Sequence, residues 1–182
     1  MVHVLKATEL KVLTELMKDS RRSDRELAKV VGVSQPTVSR MIRKLEKEGY
    51  IREYTIIPEF SKLGFTIMAI IFTKMKKKIS QDFIEGVRKK VREDEKSTPS
   101  PVMMAVSGMG CDSDRILVLL SKDYSTYNKY INMVKQYPLI EVEDVKTFLI
   151  DLSDKDQFLP LTLSTIARYL EKEANTKQKE QT

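Results

Sequence analysis

A chain of 182 residues with 41% hydrophobic and 32% charged residues can hold one or two packed domains and is too apolar to be wholly disordered. A single cysteine, Cys111, and a single histidine, His3, exclude an intramolecular disulfide and a Cys/His zinc site, and the 32 Lys+Arg against 26 Asp+Glu leave +6, which suits a polyanionic partner without establishing one. No apolar run reaches the ~18 to 20 residues of a membrane span, and the N-terminal "MVHVLKATELKVL" interrupts its apolar positions with charge, so a protein without a signal peptide in a reducing cytoplasm is expected.

From residue 7 to 18, Leu10, Leu13, Leu16 and Met17 recur at three- and four-residue spacing and predict an amphipathic helix. "SDRE" places Ser23 at an N-cap with Glu26 three residues on, the capping box of a second helix, and Gly32 ends it. Ser34 caps a third helix with Pro36 in its first turn, where a missing N–H costs nothing, and Gly49 stops it. "YIREYTII" then reads as a strand over 50–57, closed by Pro58, and would form part of a wing. Residues 1–57 make a first domain, and the turn-rich "PEFSKLG" at 58–64 is the expected linker.

Residues 65–152 alternate strand and helix signals. "FTIMAIIF" is a strand, and "SQDFIEGVRKKV" a helix with Phe83, Ile84, Val87 and Val91 on one face. "PVMMAVS" and "RILVLLS" are strands around a glycine-containing turn. "STYNKYINMVKQYP" is a helix with Tyr127, Tyr130, Ile131 and Val134 inward, and "IEVEDVKTFLIDL" closes the set. The βαββαβ order is that of a ferredoxin-like fold. Residues 153–182 add a C-terminal helix around "TLSTIARYLEKEA", with Leu163, Ile166 and Leu170 on one face and packed within its own dimer, and a polar end, "NTKQKEQT", expected to be disordered. The fold class is therefore α+β: a winged helix-turn-helix, a ferredoxin-like domain and a C-terminal helix.

The spacing within "RELAKVVGVSQPTVSRM" is the most informative. Ala28 is small where two helices cross, Gly32 follows four residues later, and Leu27, Val31, Val33, Val38 and Met41 form a shared seam. That is a helix-turn-helix, whose second helix enters the major groove. On it Gln35, Thr37, Ser39, Arg40, Arg43, Lys44 and Lys47 remain for solvent, with Ser34 and Pro36 at its start. A helical hairpin with a merely solvated basic face is the bland alternative; the small residue, turn glycine, seam and caps together favour double-stranded DNA. Ser34, Gln35, Pro36, Thr37 and Arg40 are expected at base edges. Arg43, Lys44 and Lys47 are expected mostly at phosphates.

These residues, "RRSDRELAKVVGVSQPTVSRMIRKLEKEGYIREYTIIPEFSKLG", and less strongly "VSGMGCDSDRILVLL" with the strand order, resemble the Lrp/AsnC family, the feast/famine regulators of bacteria and archaea, over about residues 5–152. The resemblance implies a sequence-specific transcription regulator that dimerises through the second domain and often assembles further. It also implies a small-molecule pocket, for an amino acid or related metabolite, where a glycine is followed by an acidic residue between the second and third strands. Ser107, Gly108, Gly110, Asp112 and Asp114 are the candidates, with an irregular strand connection as the alternative. No lysine follows in phosphate-loop spacing. A homodimer is expected on physical grounds too, because a ferredoxin-like sheet leaves one face without helices.

Two other functions compete with this one. Siroheme decarboxylases resemble the same two-domain family, yet their chemistry would draw on histidines, and this chain offers only His3; no catalytic residue, metal or cofactor is expected. An architectural DNA-coating protein would need a larger positive field than the 12 basic and 9 acidic residues of positions 1–60 supply. The run "KMKKK" at 74–78 reads as a charged strand end, and His3 as a surface residue.

Overall fold

A computed structural model describes residues 5–75, 85, 98–136, 142–156 and 161–180. The chain divides into two compact units: Met1–Pro58 with Phe158–Thr182, and Glu59–Gln157.

The first unit holds α1 (Ala7–Lys18), α2 (Asp24–Val31), α3 (Gln35–Lys47) and, from the far end of the chain, α5 (Ser164–Glu180). Local chemistry sets the helix ends. Ser23 Oγ accepts from the Glu26 N–H at 3.3 Å while Ser23 N–H donates to Glu26 Oε2 at 2.8 Å, the reciprocal box that the sequence predicts. Gly32 and Gly49 take φ of 82° and 77°, left-handed values that favour glycine. Ser34 occupies the N-cap of α3, but its hydroxyl pairs with Thr37 Oγ1 at 2.8 Å instead of capping the backbone. Val12, Leu16, Leu27, Ala28, Val31, Val38 and Leu45 form one buried cluster, with Val33 and Met41 packed against it. Complete burial of a Leu or Val stabilises by roughly 1.5–3 kcal/mol each, so this cluster is what fixes α3 against α1 and α2.

Three expectations for this unit are corrected. Residues 51–59 form no strand: a strand exists through its ladder, and no described segment of the unit pairs with this one. Tyr50 and Ile51 pack on the helical core, whereas Tyr54, Ile56 and Ile57 are exposed. The polar C-terminal end does not interrupt α5, which runs on to Glu180. On α5 the deeply buried residue is Ala167, at 0% exposure, while Leu163 and Ile166, expected inward, are 42% and 49% exposed. The small side chains of Ala167 and Ala174 lie seven residues apart on one face with Glu171 between them, and that face meets α1 through Glu171.

The second unit is a four-stranded antiparallel sheet in the order β2-β3-β1-β4, formed by β1 (Ile67–Met75), β2 (Val102–Gly110), β3 (Ser113–Ser121) and β4 (Val142–Asp151), with α4 (Tyr124–Lys135) between β3 and β4. This is the ferredoxin-like arrangement. The helix expected over 80–91 lies outside the described residues except for Glu85, which is helical. Ala69, Ile71 and Leu119 meet Tyr127, Tyr130 and Ile131 of α4 in a single buried cluster. Alternation along the strands sends Ile70, Val118 and Phe148, which stand side by side in register, to the opposite face. Phe148 is 63% exposed there, and the buried cluster has no member on that side.

Candidate nucleic-acid interface

Because α3 is pinned by Val38 and Leu45 on its inner side, its outer side is rigidly presented. Pro36, Arg40, Arg43 and Lys47 recur at four-, three- and four-residue steps along that outer side, and all four are exposed. Ser34 and Gln35 at the helix start are exposed as well, and Thr37 is half-buried, with its hydroxyl 3.4 Å from an Arg40 guanidinium nitrogen. Backbone N–H groups at the start of α3 and two arginines and a lysine along it offer donors to base edges and phosphates.

Two side chains expected on the same face are engaged inside the domain. Ser39 Oγ donates to Asp24 at the start of α2 and lies 3.2 Å from the Gln35 carbonyl. Lys44 Nζ donates to Glu9 Oε1 on α1 at 2.9 Å and lies 3.8 Å from Glu48 Oε1. The Lys44 ammonium holds the Glu9 carboxyl below its ordinary value, and the Lys6 N–H, donating to Glu9 Oε2 at 3.1 Å, adds to this against the opposing effect of burial. Glu9 raises the Lys44 ammonium in turn. Glu9 and Asp24 are thus parts of the recognition helix's setting that sequence reasoning missed. For Glu9 a signal was present: it stands in the stripe Leu5, Glu9, Val12, Leu16, where an acid among apolar positions needs a partner.

In the second unit the five effector candidates are brought to one hairpin, in an unexpected conformation. Gly110 pairs with Ser113, so the turn is the two residues Cys111 and Asp112, both left-handed with φ of 51° and 54°. Positive φ at both central positions is the type I′ pattern that suits a right-twisted hairpin. Ser107, Gly108 and Gly110 therefore lie on β2, not in the turn. The Asp112 carboxylate is 3.0 Å from Lys74 Nζ and 3.9 Å from Lys146 Nζ, and these ammonium groups hold its carboxyl below the ordinary value. Asp114 Oδ2 accepts from the Met75 N–H at 3.2 Å, and its Oδ1 is buried without a hydrogen-bond partner. Lys76–Lys78 and His3 lie outside the described residues. Among the described residues no cluster of His, Cys, Asp and Glu could hold a metal, and no helix is long and apolar enough to cross a membrane.

Residues 5–52 match the family model for winged helix-turn-helix DNA-binding domains. Over 139 residues, 76% of this chain and 88% of the relative, the sequence is 31% identical to the HTH-type transcriptional regulator PF2053 of Pyrococcus furiosus. Over 72 residues, 40% of this chain and 46% of the relative, it is 40% identical to the leucine-responsive regulatory protein of Rhizobium meliloti. This chain belongs to the Lrp/AsnC family of transcription regulators. The fold of this Lrp/AsnC regulator is also that of the transcriptional regulator NMB0573 of Neisseria meningitidis, solved as a complex with L-Met: the TM-score is 0.70 over 88% of this chain and 96% of that one, at 20% identity.

Proposed function

We propose that this Lrp/AsnC regulator recognises a specific duplex sequence with the first turns of α3: Ser34, Gln35, Pro36 and Thr37, with Arg40 one turn later, face base edges, and Arg43 and Lys47 meet phosphates. The exposed line of Pro36, Arg40, Arg43 and Lys47 on a helix whose other side is closed by Val38 and Leu45 carries this reading. Ser39 enters as a support, since its hydroxyl is held by Asp24.

The test starts from duplexes selected from a random-sequence pool by the full-length protein. Gln35→Ala and Arg40→Ala are expected to cost roughly 1–3 kcal/mol and to relax preference at one position of each half-site. Lys47→Ala is expected to weaken selected and scrambled duplexes alike and to lower the slope of log affinity against log salt by about one. If Gln35→Ala and Arg40→Ala both leave the ratio of selected to scrambled affinity unchanged, the reading face is assigned wrongly. Uniform protection of DNA in a footprint, without selected sites, would support an architectural role instead.

The same reading includes a homodimer built on the helix-free face of the sheet, a small-molecule effector at the β2–β3 hairpin, and control by binding rather than by catalysis. The apolar row Ile70, Val118 and Phe148 supports the dimer. The partnerless Asp114 Oδ1 supports a ligand carrying a hydrogen-bond donor, such as the ammonium of an amino acid.

A further inference from the structure

Glu9 is 5% exposed on α1, and the side chain of Lys44 on α3 is about one-third exposed, at 37%; the two meet at 2.9 Å. A carboxylate so far out of water is stable only if charged or hydrogen-bonding partners satisfy it, and here the partners are the Lys44 ammonium and the Lys6 backbone N–H. Lys44 in turn faces a second carboxylate, Glu48, at 3.8 Å. Its single positive charge is therefore compensated within the domain by two acids. A phosphate ligand must instead offer charge countered by displaceable solution ions, and Arg43 and Lys47 are exposed with no ion pair to another described residue.

We propose that Glu9 is a positioning residue for the recognition helix, and that Lys44 is the intramolecular counter-charge through which it acts rather than a ligand of DNA phosphate. The inference rests on the reading of α3 as the DNA-facing helix and adds to it a division of its basic residues. Arg40, Arg43 and Lys47 point at DNA, while Lys44 points back to α1. The pair ties α1 to the C-terminal half of α3, as the Asp24–Ser39 bond ties α2 to the N-terminal half. Two polar fasteners at separate points along α3 fix its rotation about its own axis, a freedom that the apolar contacts of Val38 and Leu45 restrict less sharply because they carry no direction.

Full-length Lys44→Met, Lys44→Arg, Glu9→Gln, the double variant Glu9→Gln/Lys44→Met and the reference Lys47→Met are compared in two measurements. One is thermal unfolding followed by circular dichroism. The other is affinity against salt concentration for a duplex selected by the wild-type protein. Lys44→Met is expected to lower the unfolding temperature and to leave the salt slope at the wild-type value, whereas Lys47→Met lowers the slope by about one and leaves the unfolding temperature alone. The double variant should unfold at a higher temperature than Lys44→Met, because Gln at position 9 removes the buried charge that has lost its partner. Lys44→Arg should restore the unfolding temperature and keep the salt slope at the wild-type value. A Lys44→Met protein with wild-type stability and a slope reduced as far as that of Lys47→Met overturns the inference while leaving the DNA reading intact. A wild-type protein that binds no duplex in a salt-dependent way overturns the DNA reading and the inference together.

Discussion

Lys18 on α1 and Glu171 on α5, separated by 153 residues in the chain, meet at 2.6 Å. The same Glu171 oxygen lies 2.9 Å from the hydroxyl of Thr14, which is fully buried, and Lys18 is shared with Glu15 at 2.8 Å. Glu15 also receives Arg22, so the end of α1 carries a network of two acids and two bases. With side chains 27% and 30% exposed, the Lys18–Glu171 pair is partly screened. Glu171→Ala should lower the stability of the first unit by ~1 to 2 kcal/mol, and Glu171→Gln, which keeps an acceptor for Thr14, by less. Chemical denaturation followed by circular dichroism measures both; equal midpoints for wild type and Glu171→Ala would show that the pair does not hold α5.

Acid should loosen the same unit. Lys18 holds the Glu171 carboxyl below its ordinary value of 4.5, and Lys44 does the same to Glu9. A carboxyl whose folded pKa lies below its unfolded one contributes stability that is fully present above the unfolded value and is lost as pH falls through the folded value. Stability is therefore expected to be level with respect to these two groups above about pH 5 and to decline below about 4.5. Glu171→Gln should decline less steeply over that range. Parallel acid limbs for the two proteins would speak against the linkage.

At the β2–β3 hairpin, the glycines and the aspartates can be tested apart. Gly108 has no positive φ, and a Cβ built there meets nothing within 4 Å, so Gly108→Ala should fold as the wild type does. Calorimetric titration of the full-length protein with amino acids is the measurement. Asp114→Ala should weaken a bound amino acid about tenfold or more, as expected when a charge-assisted bond is lost. Asp112→Ala should weaken it less, because Lys74 and Lys146 already occupy that carboxylate. A ligand that binds Asp112→Ala, Asp114→Ala and wild type equally sits elsewhere.

Phe148 tests the dimer. It stands in register with Ile70 and Val118 on the helix-free face and is 63% exposed in the single chain. Phe148→Asp should shift the protein to monomer at micromolar concentration in sedimentation equilibrium, because a face-to-face sheet contact would have to bury its new charge. A dimer that persists with unchanged dissociation constant would place the interface on another surface.

Much of the first unit was legible because its signals are local. The Ser23–Glu26 box and the glycines at 32 and 49 act within a few residues of themselves, and the seam from Leu27 to Met41 follows helical spacing. The strands around Ile71 and Leu119 were legible for a similar reason, since their β-branched and aliphatic runs are bounded by turns. The segment at 50–57 misled because β-propensity reports only a fit to a pleated surface, and no described part of the unit supplies a neighbouring strand. The hairpin misled because glycine is the usual donor of positive φ; here Cys111 and Asp112 adopt it while the glycines remain on β2.

The sequence by itself determined the first three helices and the residues that stop them, the four strands of the sheet, and the exposure of Gln35, Arg40, Arg43 and Lys47, because each follows from interactions within about one or two turns or from the period of the apolar residues. Tertiary structure alone decided what the long polar side chains do. Lys44 and Lys47 are three residues apart on one helix and chemically identical, yet Lys44 is bound by the buried Glu9 and Lys47 is left exposed. Likewise, only the packed structure sends Glu171 back to Lys18, and with it the C-terminal helix to the first unit. The physical reason is that a charge's partner is set by distance in space and by the loss of water around it, and neither quantity is written in spacing along the chain.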